Sequence, residues 1–380
     1  MVVAASVVVA VGTVTGMMSA LDDRGRSDEA RPPEVTRSPS LETLPVVPPP
    51  SPSVTKSPSP TSASPTPKWK AGPKPSPTRT GTGTERKQPP TVVSARLYRH
   101  PESQVLEWVR DNSGDPRHTL IQSRIAAQPA AVWFADFTPD TITARVRAVT
   151  SGGSASGRVP VVVPYAIPDR DCGGHSQGGA PDLDAYDDWI DRFAAGLGSG
   201  DVIVILEPDS VAQSACLSEG ERADRFASLA RAGRAFKAAN PKARVYYDAG
   251  HSGWNPPGKQ AQWLKQAGAA STASSDGVFS NVSNFHATTD EIAYDRQVLD
   301  ALGGPAGLGA VIDTSRNGAG APTDGEWCDP AGRKLGRAPT LATGEARIDA
   351  YLWVKLPGES DGCKGKPGTF TASYAYDLAR

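Results

Sequence analysis

The chain has 380 residues, with 40 Lys plus Arg against 41 Asp plus Glu, and 38% of its residues are hydrophobic. A formal net charge of −1 gives no field that would gather nucleic acid, which excludes polyanion binding as a leading function. The length suffices for one large domain with its own core, or two modest ones.

Residues 1–21 carry no charged side chain and are rich in Val and Ala. As a helix rising about 1.5 Å per residue they would reach roughly 30 Å, the thickness of a bilayer core. No Lys or Arg precedes Asp22, although a secretory signal normally opens with one. The segment therefore reads either as a retained membrane anchor or as a signal whose start lies a few codons upstream, and both readings export the chain. Residues 22–92 read as a disordered linker. Nearly half of the 35 prolines fall between positions 31 and 90, in Pro48-Pro49-Pro50 and in the Ser-Pro alternation from Ser51 to Pro67. Such a stretch has too little apolar material to offset its ordering entropy, and its basic excess keeps a tether soluble. All four cysteines lie beyond it, none in a Cys-x-x-Cys pair. Export favours disulfides over a zinc site, and the sequence leaves three pairings open.

Residues 93–380 suit a single barrel-type domain. Apolar runs of strand length occur at Val132–Ala135, Val159–Tyr165, Val202–Glu207, Arg244–Asp248, Gly277–Phe285, Gly309–Asp313 and Ala350–Lys355. Most are continuous rather than alternating, as in strands covered on both faces. Between them, Leu183, Tyr186, Ile190, Phe193 and Leu197 share one helical face. Ser218-x-x-Glu221 and Thr288-x-x-Glu291 predict two further helix starts by the capping box. Strand and helix alternate through seven units, which predicts a distorted, incomplete parallel β/α barrel.

A polar cluster follows nearly every run: Asp136; Asp169, Arg170 and Asp171; Glu207 and Asp209; Asp248 and His251; Asn281 and Asn284; Asp313, Arg316 and Asn317; Lys355, Glu359 and Asp361. In a parallel barrel these ends open on one face, where such folds build their active sites. Several carboxylates meeting without a metal motif point to paired acid and base chemistry, as in glycosidic cleavage, where one carboxyl is protonated and another ionised. Trp133, Trp254, Trp327 and Trp353 lie at or beside the same ends. An indole is a flat platform for a sugar ring, although Trp353, inside its run, fits core packing equally well. There is no His-Glu-x-x-His, no Walker loop and no Gly-x-Ser-x-Gly elbow. Asp248, His251 and Ser252 sit too close in sequence for a serine triad.

Seven co-linear motifs carry a resemblance. Tyr165-Ala-Ile-Pro-Asp-Arg-Asp171-Cys172, Leu206-Glu-Pro-Asp209-Ser, Tyr247-Asp248-Ala-Gly-His251-Ser-Gly-Trp254, Asn281-Val-Ser-Asn284-Phe, Ile312-Asp313-Thr-Ser-Arg-Asn-Gly, Glu326-Trp327-Cys328-Asp329-Pro and Trp353-Val-Lys355-Leu-Pro-Gly-Glu359-Ser-Asp361-Gly-Cys363 together resemble glycoside hydrolase family 6. That family comprises cellulases, both endoglucanases and cellobiohydrolases, on a distorted α/β barrel. The resemblance runs through about residues 125–380 and does not touch residues 1–92.

The resemblance implies inverting hydrolysis of β-1,4-glucan. It makes Asp209 the general acid and Asp171 the neighbour whose charge helps keep that acid protonated. It makes Asp361 the base, acting on water at a distance, with the Asp209 and Asp361 carboxyls roughly 6.5–9.5 Å apart or farther if a water chain intervenes. Tyr165 would press on the sugar at the cleavage point. Trp133, His251, Trp254, Asn284, Trp327, Lys355 and Glu359 would line the glucose subsites. Cys172 would pair with Cys216, and Cys328 with Cys363. The family often has a Ser to position the attacking water; that place falls here on Gln177 with Ser176 beside it, and either can serve. Short loops after Arg-Asp-Cys and between Trp327 and Cys363 imply an open cleft and endo action rather than cellobiohydrolase action. The expected protein is a secreted or membrane-tethered monomer that needs no metal or cofactor, with a catalytically silent glucan-binding protein as the competing reading.

Overall fold

The computed structural model describes residues 96–380; the apolar segment 1–21 and the linker 22–92 lie outside the described residues. In chain order the strands are β1 (Arg96–Leu97), β2 (Val132–Phe134), β3 (Arg158–Val159), β4 (Val161–Pro164), β5 (Val202–Leu206), β6 (Ala243–Asp248), β7 (Gly277–Ser280), β8 (Gly309–Asp313) and β9 (Ile348–Leu352). The helices are α1 (Gln104–Asp111), α2 (His118–Ile121), α3 (Ile142–Ala155), α4 (Leu183–Ala195), α5 (Glu219–Ala239), α6 (Pro257–Gln266), α7 (Thr288–Leu302) and α8 (Ala372–Ala379). Seven strands form one parallel sheet in the order β2-β4-β5-β6-β7-β8-β9, while β1 pairs with β3.

The sheet curls until its edges approach without forming a ladder. The Ala131 N–H donates to the Trp353 carbonyl at 2.9 Å, and Trp133 Nε1 donates to the Val354 carbonyl at 2.7 Å. The expected incomplete barrel is thus the observed one. Period-two alternation explains why its strands read as unbroken apolar runs. Val162, Val204, Leu206, Val245, Tyr247, Val278, Ala310 and Ile312 face the helices and share a core with Trp189, Phe193 and Phe236. Val161, Val163, Ile203, Ile205, Tyr246, Phe279, Val311 and Ala350 fill the barrel interior.

The Gly309–Asp313 strand stands as the sequence predicts, and three other boundaries differ for identifiable reasons. The run at Val159–Tyr165 breaks at Pro160, which cannot donate to a ladder; Val159 pairs with Leu97, and Val161 opens β4. The run at Gly277–Phe285 stops at Ser280, because Asn281 and Ser283 take positive φ values of 64° and 58° and turn the chain. The run at Ala350–Lys355 starts earlier, at Ile348, and ends at Leu352, since Trp353 and Val354 bond across the barrel seam instead.

Helix starts divide the same way. Ser218 and Glu221 form the expected capping box, with bonds of 2.8 and 3.3 Å. Thr288 and Glu291 do not: Ala287 is the cap residue, without a side-chain bond, and the Glu291 carboxylate is buried and accepts from the Ser252 N–H at 2.9 Å. On α4, Tyr186, Ile190 and Phe193 are buried as expected, together with Trp189; Leu183 is half-buried, and Leu197, also buried, lies just past the helix end. Both disulfides form as the resemblance implies, Cys172–Cys216 across 44 residues and Cys328–Cys363 across 35. Loops of that size contribute roughly 4 kcal/mol each in the chain-entropy account.

Candidate active site

The C-terminal ends of the strands open into a cleft of about 1200 Å³. Among the described residues, nine that are not glycine have positive φ, and all but Arg347 lie in the loops at this face: Asp169, Asp171, Cys172, Glu207, Asp209, Asn281, Ser283 and Asp329. Such backbone is held against its own preference by surrounding bonds, and strain of this kind gathers at functional sites.

The bonds are visible. Glu207, fully buried, accepts from the Ala166 N–H at 2.9 Å and the Ile167 N–H at 3.1 Å, which ties the end of β5 to the loop that carries Tyr165. Burial pushes its carboxyl up to about 7, against the pull of those amides. Asp248 accepts from the Val211, Ala212 and Gly250 amides at 3.1, 2.7 and 2.9 Å, which fixes the far side of the same loop. Gly250 has a φ of 68°, and a Cβ there would meet Ala212 Cβ at 2.8 Å. Only glycine allows that approach. Asp209 stands between these clamps, partly exposed to the cleft. Its proton is held well above the usual carboxylate range, first by removal from water, then by the negative charges of Asp248 and Asp171, with Lys355 opposing.

Asp171 bonds the Ser176 N–H at 2.7 Å. Arg170 donates to the carbonyls of Ala135 and Tyr165 and lies 4.5 Å over the Tyr165 ring. Tyr165 meets Trp133 edge to face at 5.2 Å. Burial, then Asp209 and Asp171, push its phenol up, so it stays neutral.

Asp361 has a different setting. It is 7% exposed, accepts from Arg316 Nη1 at 2.7 Å and from the Asp329 N–H at 3.1 Å, and lies 3.5 Å from Lys355 Nζ. Arg316 is fully buried, stacked 4.4 Å over Phe285 and bonded to the Ser283 carbonyl and the Tyr374 hydroxyl at 3.2 Å. Asp329 accepts from Ser360 Oγ and from the amides of Asp361, Cys363 and Lys364, which holds the whole turn. Glu359 is pushed up to about 7 by burial, with Lys355 opposing.

Trp327 is 53% exposed at the rim, 5.7 Å from His175. His251 stacks on His286 at 4.2 Å and lies 5.2 Å from Trp254. Burial, then His286, pull His251 down to about 3, and its Nδ1 accepts from the Gly253 N–H at 3.1 Å. It is a neutral donor at Nε2. Asn284 completes the lining, and both Ser176 and Gln177 reach the cleft. Trp353 is 3% exposed and donates to the Arg337 carbonyl at 3.0 Å, so it serves mainly as core beneath the cleft.

Every residue singled out for catalysis or sugar contact therefore lines this one cleft. The sequence places Glu207, Asp248 and Arg316 at the polar face and Asp329 in a motif, without assigning any of them a role. Their positions after strand ends were visible; their burial and amide partners were not. Among the described residues the only grouping tight enough for a metal is His175 with Cys328 and Cys363, whose sulfurs are joined in the disulfide.

The family model for Glycosyl hydrolases family 6 matches residues 91–377. Endoglucanase 1 of Streptomyces sp. (strain KSM-9) is 52% identical over 287 residues, covering 75% of this chain and 78% of its own length. Endoglucanase A of Thermobispora bispora is 48% identical over 284 residues and 74% of this chain, which spans only 61% of that relative. Among solved structures, the endoglucanase Cel6 from Mycobacterium tuberculosis, in complex with methyl-cellobiosyl-4-deoxy-4-thio-β-D-cellobioside, matches with a TM-score of 0.69 and 39% identity, over 76% of this chain and 97% of its own.

Proposed function

The chain belongs to glycosyl hydrolases family 6, and on that footing we propose that it is an endo-β-1,4-glucanase that cuts cellulose with inversion, Asp209 acting as general acid. The observation that carries the reading is the contrast within one cleft between Asp209, which keeps its proton, and Asp361, which is paired with Arg316 and Lys355. Protonated Asp209 is suited to donate to the departing glycosidic oxygen, and anionic Asp361 to draw a proton from water on the opposite side of the sugar. Asp171 raises Asp209 by charge and, through the Ser176 amide, shapes the loop that offers Ser176 or Gln177 to the water.

Tyr165, rigid between Trp133 and Arg170, presses on the sugar at the cleavage point. Trp133, Trp254 and Trp327 offer ring faces to successive glucose units; His251, Asn284, Lys355 and Glu359 offer polar atoms. Endo action is supported by the exposure of Trp327 and of His175 and Gln177 at the rim, and by the relatives' names as endoglucanases. A silent glucan binder would need the aromatic residues but not an acid raised by burial and by two neighbouring carboxylates. Two disulfides support an oxidising location outside the cytoplasm. Retention at the membrane through residues 1–21 is a separate proposal, decided by N-terminal sequencing of the mature protein.

Purified protein is expected to lower the viscosity of a soluble cellulose derivative well before much reducing sugar appears, and NMR is expected to show the α-anomer first. No viscosity loss would support the binder. A β-anomer first would remove inversion.

A further inference from the structure

Beneath the loop that carries His251 and Trp254 lie two carboxyl groups with no role in the cleavage steps above. Glu291 and Asp295 are one helical turn apart on α7 and both are 0% exposed. Glu291 Oε1 accepts from the Ser252 N–H at 2.9 Å, and Asp295 Oδ2 accepts from Ser280 Oγ at 3.1 Å. The remaining oxygens, Glu291 Oε2 and Asp295 Oδ1, are buried without any partner.

Among the described residues no cation is paired with them. Asp290 and Tyr294 are the titratable neighbours on α7, the first exposed and the second bonded to the Ala249 carbonyl. From α6, Lys259 bonds Asn255 and Lys265 is exposed. Arg296 pairs with Glu345. Asp248 at the end of β6 and Asp313 at the end of β8 are engaged with backbone amides, and His251 and His286 stay neutral. Two ionised carboxylates in such a pocket would repel with little screening, whereas one proton carried by the pair removes one of the two charges and turns one orphan oxygen into a donor.

We propose that Glu291 and Asp295 share one proton, and that this pair is a positioning device that holds the Ser252 amide and so the His251–Trp254 wall of the substrate cleft. The pair touches no substrate. Burial raises both groups, and the charge of Glu291 raises Asp295 further, so the pair holds its proton beyond the ordinary carboxylate range and releases it on the alkaline side. Loss of the proton forces one carboxylate toward water. Glu291 is the one bonded to the loop, and its departure releases Ser252.

The cleft's use for glucan rests on the function proposed above, and the test separates the two claims. Glu291→Gln keeps an oxygen for the Ser252 N–H and supplies a permanent N–H toward Asp295, which copies the protonated pair. In the wild type, KM for a soluble cellulose derivative is expected to rise about tenfold as pH climbs above neutrality, the cost of one lost hydrogen bond to a charged group. The alkaline fall in kcat caused by Asp209 is independent of it. In Glu291→Gln the KM should vary less than about twofold while kcat keeps its own alkaline fall. Infrared spectra at neutral pH give a readout without substrate: the variant should lack one protonated-carboxyl C=O band that the wild type has. Activity with identical KM profiles and identical band counts in the two proteins would overturn the proposal. Absence of hydrolysis would overturn the functional reading, and the band count would still decide the pair.

Discussion

Asp209, in the loop after β5, is raised by removal from water and by the charges of Asp248 and Asp171, with Lys355 opposing; Asp361, beyond β9, lies 2.7 Å from a fully buried guanidinium and 3.5 Å from an ammonium. Both are aspartates at strand ends of one sheet, facing one cleft. Removal from water raises Asp209 first; beyond that, the sign of the charges that the loops bring along separates the two. The β5 and β6 ends supply carboxylates clamped by backbone amides, whereas the β8 and β9 ends supply Arg316 and Lys355. On the proposed function, environment rather than residue type would assign the acid and the base.

The contrast can be broken most severely at its acid end. Asp209→Ala is expected to cut kcat on cellulose by about 10²–10⁴-fold. It should spare much of the rate on aryl glucosides whose leaving group needs no proton; equal loss on both substrates would argue for a structural role. At the other end, Arg316→Leu leaves Asp361 with Lys355 alone in a buried site. A loss of about 3–5 kcal/mol is expected in denaturant unfolding, as for other broken buried pairs, together with most of the activity. An unchanged midpoint would show that Lys355 and the Asp329 amide suffice.

A milder change sharpens the comparison. Asp171→Asn removes one of the charges that raise Asp209, so Asp209 should lose its proton at lower pH. The alkaline limb of the kcat profile should then move toward acid by about one unit. A shift toward alkali, or none, would mean that Asp171 acts only through its Ser176 bond. The smallest effect belongs to the rim: Trp327→Ala should raise KM about threefold with no change in Tm, because a side chain 53% exposed adds little to the core. A falling Tm would recast it as packing.

How much of this was legible in the sequence varies with the kind of signal. The strands showed themselves because residues buried on both faces cannot alternate in polarity, and β8 even kept its bounds. The β7 end was overrun because positive φ at Asn281 and Ser283 leaves no mark in hydropathy. Thr288 and Glu291 matched a capping pattern, but the burial of Glu291 against the Ser252 loop took precedence over local capping. Tyr165, Asp171, Asp209 and Asp361 were found through their motifs. Glu207, Asp248 and Arg316 were seen as polar residues after strands, while their task of bracing the loops depends on contacts tens of residues away.

The central claim is that Asp209 holds a proton where an ordinary aspartate would have lost it. Carbon-13 NMR of the Asp carboxyl carbons, with Asp209→Asn to assign the resonance, reads that directly. The account predicts that the Asp209 carboxyl titrates well above the ordinary aspartate range. A titration complete below about pH 4.5, with hydrolysis intact, would contradict it.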